Sequence, residues 1–454
     1  MKKLIAFVVS AHLLPISLYA SQVQLDAELE QAMASWKASQ QTVQDKDEFE
    51  QFKTQHFEQY DKYVEAHFAE FDAYRDNLIL EWGDAQISSR SQYVHYAKDN
   101  NARLMVDFEQ DQLVVSVKHS SKQDVSKAQA QQAFKNFLQE NSALLTEFFQ
   151  HHSIKDQQEA ITKAQSYVVD NAKRATALIT AKAQIKSQTL QQQQVIDKQF
   201  DTVLADNDDN TATSNVIDDQ QDEEAAAQLK AKKQVIEALQ VKRIKKLKES
   251  IKDLPKKSTD TVVTEFVITL PKNTLAQKRA SGYVKQIQAQ SERFSIDNSL
   301  VLAVMHTESH FNPLAKSPIP AYGLMQVVPT SAGVDVNRFL YDIDEPMSGP
   351  YLYVTDNNIE AGTAYLHLLN ERYLRHIEDP LNRKYCTIAA YNTGAGNVAR
   401  VFNSDGSRNI KKASRVINSM SPELVLKTLQ SRLPYDETKR YLDKVLSKEA
   451  LYIQ

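Results

Sequence analysis

A single cysteine, Cys386, stands in a chain of 454 residues, so no disulfide can close within the chain and no cysteine cluster can hold a metal. Glycine and proline are scarce and unevenly placed. Between residues 16 and 254 there is no proline and Gly83 is the sole glycine, whereas the other eight glycines lie from Gly282 onward. Turns and loops draw on these residues, so the first half reads as mostly helix and the last part as a compact domain with glycine-bearing loops. An excess of one charge is lacking too. A formal net charge of -4 gives no global field to attract nucleic acid, and no such partner is expected.

Long apolar runs are also few. One follows Lys2 and Lys3, extends from Leu4 to Leu18 across Pro15 and gives way to polar sequence after Ala20. A membrane span needs roughly 20 uninterrupted apolar residues. Residues 1–20 therefore read as a secretory signal peptide cleaved after Ala20, and no transmembrane segment is expected. With no cysteine near that point, no lipid anchor is expected either.

Domains commonly hold about 100 to 200 residues, which leaves room for two or three here. Residues 21–121 open with a largely aromatic stripe at helical spacing, Phe49, Phe52, Tyr60, Tyr63, Val64, Phe68, Phe71 and Tyr74, a packing seam in preference to a sugar platform. Between 102 and 119 the period changes to two. Leu104, Val106 and Phe108, then Leu113, Val115 and Val117, predict a hairpin with one apolar face. A lone hairpin is marginal, and residues 262–270, with Val262, Thr264, Phe266, Ile268 and Leu270 on one face, can supply another strand. Residues 259–271 then return to an amino-terminal α+β domain, and 122–258 form a long insertion. This insertion reads as Gln- and Ala-rich helix to about residue 200, an acidic and partly disordered linker over 206–224, and a basic helix over 225–254. In the basic helix, Ile236, Leu239, Ile244, Leu247, Ile251 and Leu254 lie close to heptad spacing. A solvated coiled-coil face is favoured there over a contact with anionic wall polymer or membrane.

Residues 272–454 carry the chemistry. Asp297 to His310 predicts a helix that Asp297 or Asn298 can cap, with Glu308 on the apolar face set by Val301, Val304 and Met305. Desolvation and the negative end of the helix dipole both raise the pKa of a carboxyl placed there. A carboxylic acid kept protonated near neutral pH is what glycosidic bond cleavage requires. Glu308-Ser309 is followed by Phe311-Asn312-Pro313, Gly323-Leu324-Met325-Gln326, Ala361 to Leu366, Ala390-Tyr391-Asn392, and Glu437-Thr438 with Tyr441.

In this order and spacing the set resembles the lysozyme-like lytic transglycosylases that cleave bacterial peptidoglycan. The lead-in Val263 to Arg279 resembles a membrane-bound subfamily whose members are usually lipoproteins, a trait not carried over because the chain lacks the lipobox cysteine. The resemblance is strong over 262–454 and weaker over about 50–145. It implies a mainly α protein: a carboxy-terminal lysozyme-like domain and an amino-terminal α+β domain carrying the helical insertion. It also implies a periplasmic enzyme of cell-wall turnover, with no cofactor or metal, whose partners are glycan strands. The insertion over 122–258 has no counterpart in that family and its role stays open, other cell-wall enzymes being candidate partners for it. Glu308 is then the general acid and base, giving a 1,6-anhydro product without water. Ser309 and Gln326 would bind substrate or orient Glu308, Met325 would pack on a sugar, and Tyr391, Asn392, Tyr441 and Tyr365 would line the cleft. Met325 and Tyr365 also fit plain core positions, and Asn392 a helix end.

Other readings share these residues. His306 and His310 are four apart, a spacing that can hold zinc, but the glutamate of a H-E-x-x-H site directly follows its first histidine, where Thr307 stands here. A hydrolysing muramidase would need a second carboxylate, with Asp335, Asp342, Asp344, Asp356 and Glu360 as candidates. A catalytically silent wall-binding scaffold is a third reading, disfavoured by the intact motifs.

Overall fold

A computed structural model describes residues 65–66, 68–122, 125–140, 161–210, 215–252, 260–269, 275–319 and 321–453. The expected signal peptide and the stripe residues Phe49 to Val64 lie outside these. A helix over 68–82 (α1) leads into strands Gln92–Tyr96 (β1), Ala102–Asp107 (β2) and Gln112–Ser120 (β3). Helix Lys127–Glu140 (α2), strand Thr162–Val168 (β4) and two long helices, Asn171–Asn210 (α3) and Asn215–Lys252 (α4), precede strand Thr261–Thr269 (β5).

The five strands form one antiparallel sheet in the order β1-β2-β3-β5-β4. The predicted hairpin is β2-β3. Its turn is held by the Asp107 carboxylate, which accepts from the backbone amides of Glu109 and Gln110 at 3.0 and 2.8 Å. The predicted returning strand is β5, in register with β3 from Gln112↔Thr269 to Ser120↔Thr261. One sheet face buries Leu104, Val106, Leu113, Val115, Phe266 and Ile268 under Phe134 and Phe137 of α2. Period-two burial explains this pairing, because a slip of one residue would turn every apolar side chain to the wrong face.

The insertion departs from expectation in two ways. Residues 162–168 form β4 where helix was expected, and the acidic stretch expected as linker is helical over 206–210 and 215–224. Helices α3 and α4 pack as a hairpin on α1. Ile79, Leu178, Ala181, Ile185 and Leu247 bury together with Ile244 against them. Next to this apolar layer is a buried polar one. Arg243 donates to both oxygens of Asp72 at 2.8 Å, Arg75 donates to the same carboxylate at 2.6 Å, and the Arg243 guanidinium lies 3.9 Å from the Phe68 ring centroid. Of the heptad-like apolar positions of α4, Leu239, Ile244 and Leu247 thus meet α1 and α3, while Lys242, Lys245, Lys246 and Lys248 stay exposed; Leu254 lies outside the described residues.

Among the described residues, the regular elements of the carboxy-terminal domain are all helices, with two isolated β-bridges, Lys316↔Tyr322 and Tyr322↔Val327, between them. The domain comprises Leu275–Ser281 (α5), Val284–Phe294 (α6), Asn298–Ser309 (α7), Ala332–Tyr341 (α8), Gly349–Tyr353 (α9), Thr355–His367 (α10) and a π-helical turn, Leu368–Tyr373. Then follow Pro380–Thr393 (α11), Ala395–Phe402 (α12), Ile410–Ile417 (α13), Pro422–Arg432 (α14) and Asp436–Glu449 (α15). Helix α7 is the axis of its core. Leu300, Val301, Ala303, Val304 and Met305 are all buried, as expected of a helix enclosed on every side. Asp297 takes the N-cap position, but neither its side chain nor that of Asn298 caps the helix, contrary to expectation. Arg279 joins the domains by donating to Asp111 and to the Phe108 carbonyl, each at 2.9 Å, and to the His310 carbonyl at 3.1 Å. The architecture is therefore mainly α, with an amino-terminal α+β domain.

Candidate active site

Glu308 is the penultimate residue of α7 and is only 5% exposed. The chain leaves the helix through two consecutive left-handed residues, His310 and Phe311, at φ 51° and 61°. Such strained positions persist only where packing enforces them. Burial pushes the Glu308 carboxyl above the usual carboxylate range and outweighs the opposing pull of Arg90, Tyr441 and Lys198. Arg90, in the segment before β1, brings Nη1 to 3.6 Å from Glu308 Oε2 and Nη2 to 2.8 Å from Glu437 Oε1. The Tyr441 hydroxyl is buried beside the Glu308 carboxylate without a hydrogen-bond partner of good geometry. Burial and that carboxylate hold the Tyr441 and Tyr391 phenols well above their ordinary values, so both stay protonated near neutral pH.

A tight turn packs behind the acid. Gly323 has φ 72°, and a Cβ there would lie 2.7 Å from Asn358 Cγ and 2.8 Å from the Leu352 carbonyl oxygen, so only glycine fits. Asn358 secures the turn. It accepts from the Met325 amide and donates to the Tyr322 and Leu352 carbonyls, all at 2.8 Å. Gln326, at φ 47°, donates from Nε2 to the Ala315 and Gly323 carbonyls at 3.0 Å, and its buried Oε1 has no partner.

The remaining expected site residues divide by burial. Ser309 is fully buried and donates to the Met305 and Leu324 carbonyls at 3.1 and 2.8 Å, which places it behind the acid, tying α7 to the turn. Met325 is fully buried against Gly362, in the core and not on a cleft wall. Tyr391 donates to the Met325 carbonyl at 2.8 Å, and Tyr365 packs on Tyr391 with ring centroids 5.5 Å apart. Asn392 is half-buried and accepts from Thr438 at 2.7 Å. The structure thus brings Glu308, Tyr441, Tyr391 and the turn together.

Three groups near the acid had no sequence signal as site residues. Arg90 lies in a segment without pattern, Lys198 in a helix read as insertion, and Asn358 in an amphipathic run. Glu437 belonged to the motif set but not to the expected site.

The rival sites are less favourable. His306 and His310 sit with ring centroids 5.3 Å apart, but Tyr452 lies 2.9 Å from His306 Nδ1 and the Lys448 ammonium 3.5 Å from His310 Nε2. Burial and that lysine hold the two imidazoles down at about 3 and about 2, and an ammonium beside them opposes a second cation. No group of three or more potential metal-ligating side chains occurs among the described residues. Of the proposed second carboxylates, Asp335 accepts from Tyr373, Asp344 pairs with Arg338 and Glu360 pairs with Arg293.

Residues 285–414, within the helical carboxy-terminal domain, match the family described as "Transglycosylase SLT domain". Particular relatives follow from a longer stretch. The chain is 47% identical over 191 residues to "Membrane-bound lytic murein transglycosylase C" of Pectobacterium atrosepticum, covering 42% of this chain and 52% of that protein. A protein of the same name from Klebsiella pneumoniae subsp. pneumoniae is also 47% identical, with 42% and 51% covered. The chain thus spans about half the length of the curated relatives it matches. The solved lytic transglycosylase Slt of Pseudomonas aeruginosa aligns at 26% identity over 37% of this chain and 23% of its own, with a TM-score of 0.29. No helix among the described residues is long and apolar enough to cross a membrane.

Proposed function

We propose that this chain is a peptidoglycan lytic transglycosylase that cleaves between N-acetylmuramic acid and N-acetylglucosamine and acts in cell-wall turnover in the periplasm. The observation that carries the reading is Glu308, a buried carboxylic acid with a raised pKa at the end of α7, inside a segment matching the Transglycosylase SLT domain. The protonated acid gives its proton to the glycosidic oxygen as the bond from C1 breaks. The carboxylate left behind is stabilised by the Arg90 guanidinium, the Lys198 ammonium and the Tyr441 hydroxyl. It then takes the proton of the muramic acid C6 hydroxyl as that oxygen bonds to C1. A 1,6-anhydro ring forms, Glu308 returns to the acid form and no water is consumed. One carboxyl group suffices for both proton transfers, and no cofactor enters.

A second reading rests on Glu437, which shares Arg90 with Glu308 and is the second carboxylate at the site. If it activated water, the product would be a reducing end. Incubation with isolated sacculi and mass spectrometry of the released muropeptides separates the two. Ends one water lighter, absent with Glu308→Gln, are expected. Reducing ends would favour hydrolysis, and undiminished release from Glu308→Gln would remove Glu308 from the mechanism.

A further inference from the structure

The sheet buries one face under α2, and strand alternation turns Arg103, Ser116 and Glu265 to the other. There they floor an open pocket of about 530 Å³, walled by Tyr167 of β4, Asp84 after α1 and Lys173 of α3. Small-molecule sites commonly measure about 300–1,000 Å³. No residue of the carboxy-terminal domain lines this pocket, so it is separate from the Glu308 site.

The charges in the pocket are divided. Buried Arg103 donates from Nη2 to Asp84 Oδ2 at 3.1 Å and to Glu265 Oε1 at 3.2 Å, and from Nε to Ser116 at 3.2 Å. One guanidinium thus serves two carboxylates, which leaves one negative charge over. Both acids are half-buried, so solvent screens that surplus only in part. Lys173 does not cancel it. Among the described residues it has no carboxylate partner, and its ammonium stands 4.1 Å from the Tyr167 ring centroid. Tyr167 therefore separates the two poles, with its ring at the ammonium and its hydroxyl donating to Asp84 Oδ2 at 3.4 Å. Lys118, further along β3, is already paired with Glu81 at 3.3 Å. Met105 and Val114, opposite each other in the β2-β3 register, add an apolar patch to the lining.

We infer that this pocket binds the zwitterionic head of an α-amino acid, with the ligand ammonium at Asp84 and Glu265, its carboxylate at Lys173 and its aliphatic part on Met105 and Val114. An anion alone would meet the surplus carboxylate, and a cation alone would leave Lys173 unmatched. A neutral ligand would compensate neither pole. A free amino acid and a longer molecule ending in such a head share the required chemistry. The inference does not depend on the reaction at Glu308.

The test titrates the whole protein, its methionine methyl groups labelled with carbon-13, and follows binding by calorimetry and by the signal of Met105, one of seven methionines in the chain. Leucine is the free probe, and Nε-acetyl-lysine presents the same head on a longer chain. The single-charge controls are 3-methylbutylamine and 4-methylpentanoate, which are leucine without its carboxylate and without its amine. Both amino acids are expected to shift Met105, and each control to bind about tenfold more weakly or worse, the usual loss when a hydrogen bond to a charged group is removed. Tighter binding of leucine would mark a free amino acid as the ligand, and tighter binding of Nε-acetyl-lysine a tethered head; either result supports the inference. Lys173→Gln should reduce leucine to the level of 3-methylbutylamine and leave that amine unchanged. Glu265→Gln, which balances Arg103 against Asp84 alone, should weaken leucine and the amine but not 4-methylpentanoate. Neither substitution leaves a buried charge unpaired. An unmoved Met105 signal with both amino acids, a single-charge control that binds as tightly as leucine, or leucine binding untouched by both substitutions would overturn the inference.

Discussion

Gly362 lies in α10 with its α-carbon against Met325, and Gly362→Ala sets two known effects against each other. A helix-interior Gly to Ala change ordinarily stabilises by about 1 kcal/mol. Here the new Cβ would lie 2.6 Å from Met325 Cβ and 2.9 Å from Met325 Cε, in addition to meeting the sulfur. Met325 Cβ is one bond from the backbone and cannot swing aside, and Met325 is fully buried, so the turn itself must shift. Overpacking of a well-filled core costs about 1–3 kcal/mol, which at its low end only cancels the propensity gain and at its high end outweighs it. With contacts this short the net expectation is a loss of up to about 2 kcal/mol, and for a cooperative unit of this domain's size a fall in Tm of up to about 8 °C. Catalysis should fall further than stability, because Met325 carries both the amide held by Asn358 and the carbonyl held by Tyr391. The assay is calorimetry with anhydro-end release measured well below Tm. A double-mutant cycle completes it: Met325→Ala alone costs about 2–5 kcal/mol, and joined to Gly362→Ala it should cost less than the sum, the added methyl filling part of the space. A raised Tm for Gly362→Ala, or strict additivity in the cycle, would refute the reasoning.

Three other predictions address charge. Glu308 titrates higher in the folded protein than unfolded, so the folded state holds more protons in that interval and loses stability as pH rises through it; Glu308→Gln should melt above the wild type near neutral pH and match it below the usual carboxylate range. His306 and His310 are depressed from 6.5 to about 3 and about 2, so the unfolded chain binds more protons in that window. Stability should therefore be full above 6.5 and decline as pH falls through the window, and a pH series of thermal melts should be flatter for His310→Asn. In the three-helix layer, Asp72→Ala strands the buried Arg243 beside Arg75, at a cost of about 3–5 kcal/mol, read as faster amide exchange in α3 and α4. Replacing Asp72 and Arg243 together by leucine and methionine should recover most of that loss, and no recovery would show that packing dominates there.

What could be read from the chain in advance follows from how local each determinant is. Strands β2, β3 and β5 alternate apolar and polar residues, and that period alone fixes their buried face. Strands β1 and β4 sit at the two edges of the sheet, where one side of the ladder has no neighbour. Their sequences, Gln92-Tyr-Val-His-Tyr96 and Thr162-Lys-Ala-Gln-Ser-Tyr-Val168, carry little alternation, so nothing local marks 162–168 as strand within a stretch that reads as helix. Residues 206–224 have the composition of a linker, yet α3 runs on to Asn210 and α4 begins at Asn215, because extending a helix already formed costs far less than starting one.

The site divides in the same way. The burial of Glu308 is set by its own helix, and the spacing to Val301, Val304 and Met305 announces it. A buried carboxyl must spend part of the proposed cycle ionised, however, and an uncompensated buried carboxylate is costly. Helix α7 has no lysine or arginine to offer. The compensating cations must then come from other elements, and they do: Arg90 from the approach to β1 and Lys198 from the insertion. The sequence thus implies that cations from elsewhere face the acid, while their identity depends on how three separately folded pieces dock. By this logic the amino-terminal domain and the insertion belong to the active site electrostatically, and Arg90→Gln should leave Glu308 a stronger proton holder. The alkaline limb of the pH profile for anhydro-end release should move upward in that variant. An unmoved limb would mean that Arg90 serves only to hold Glu437 and the domain contact.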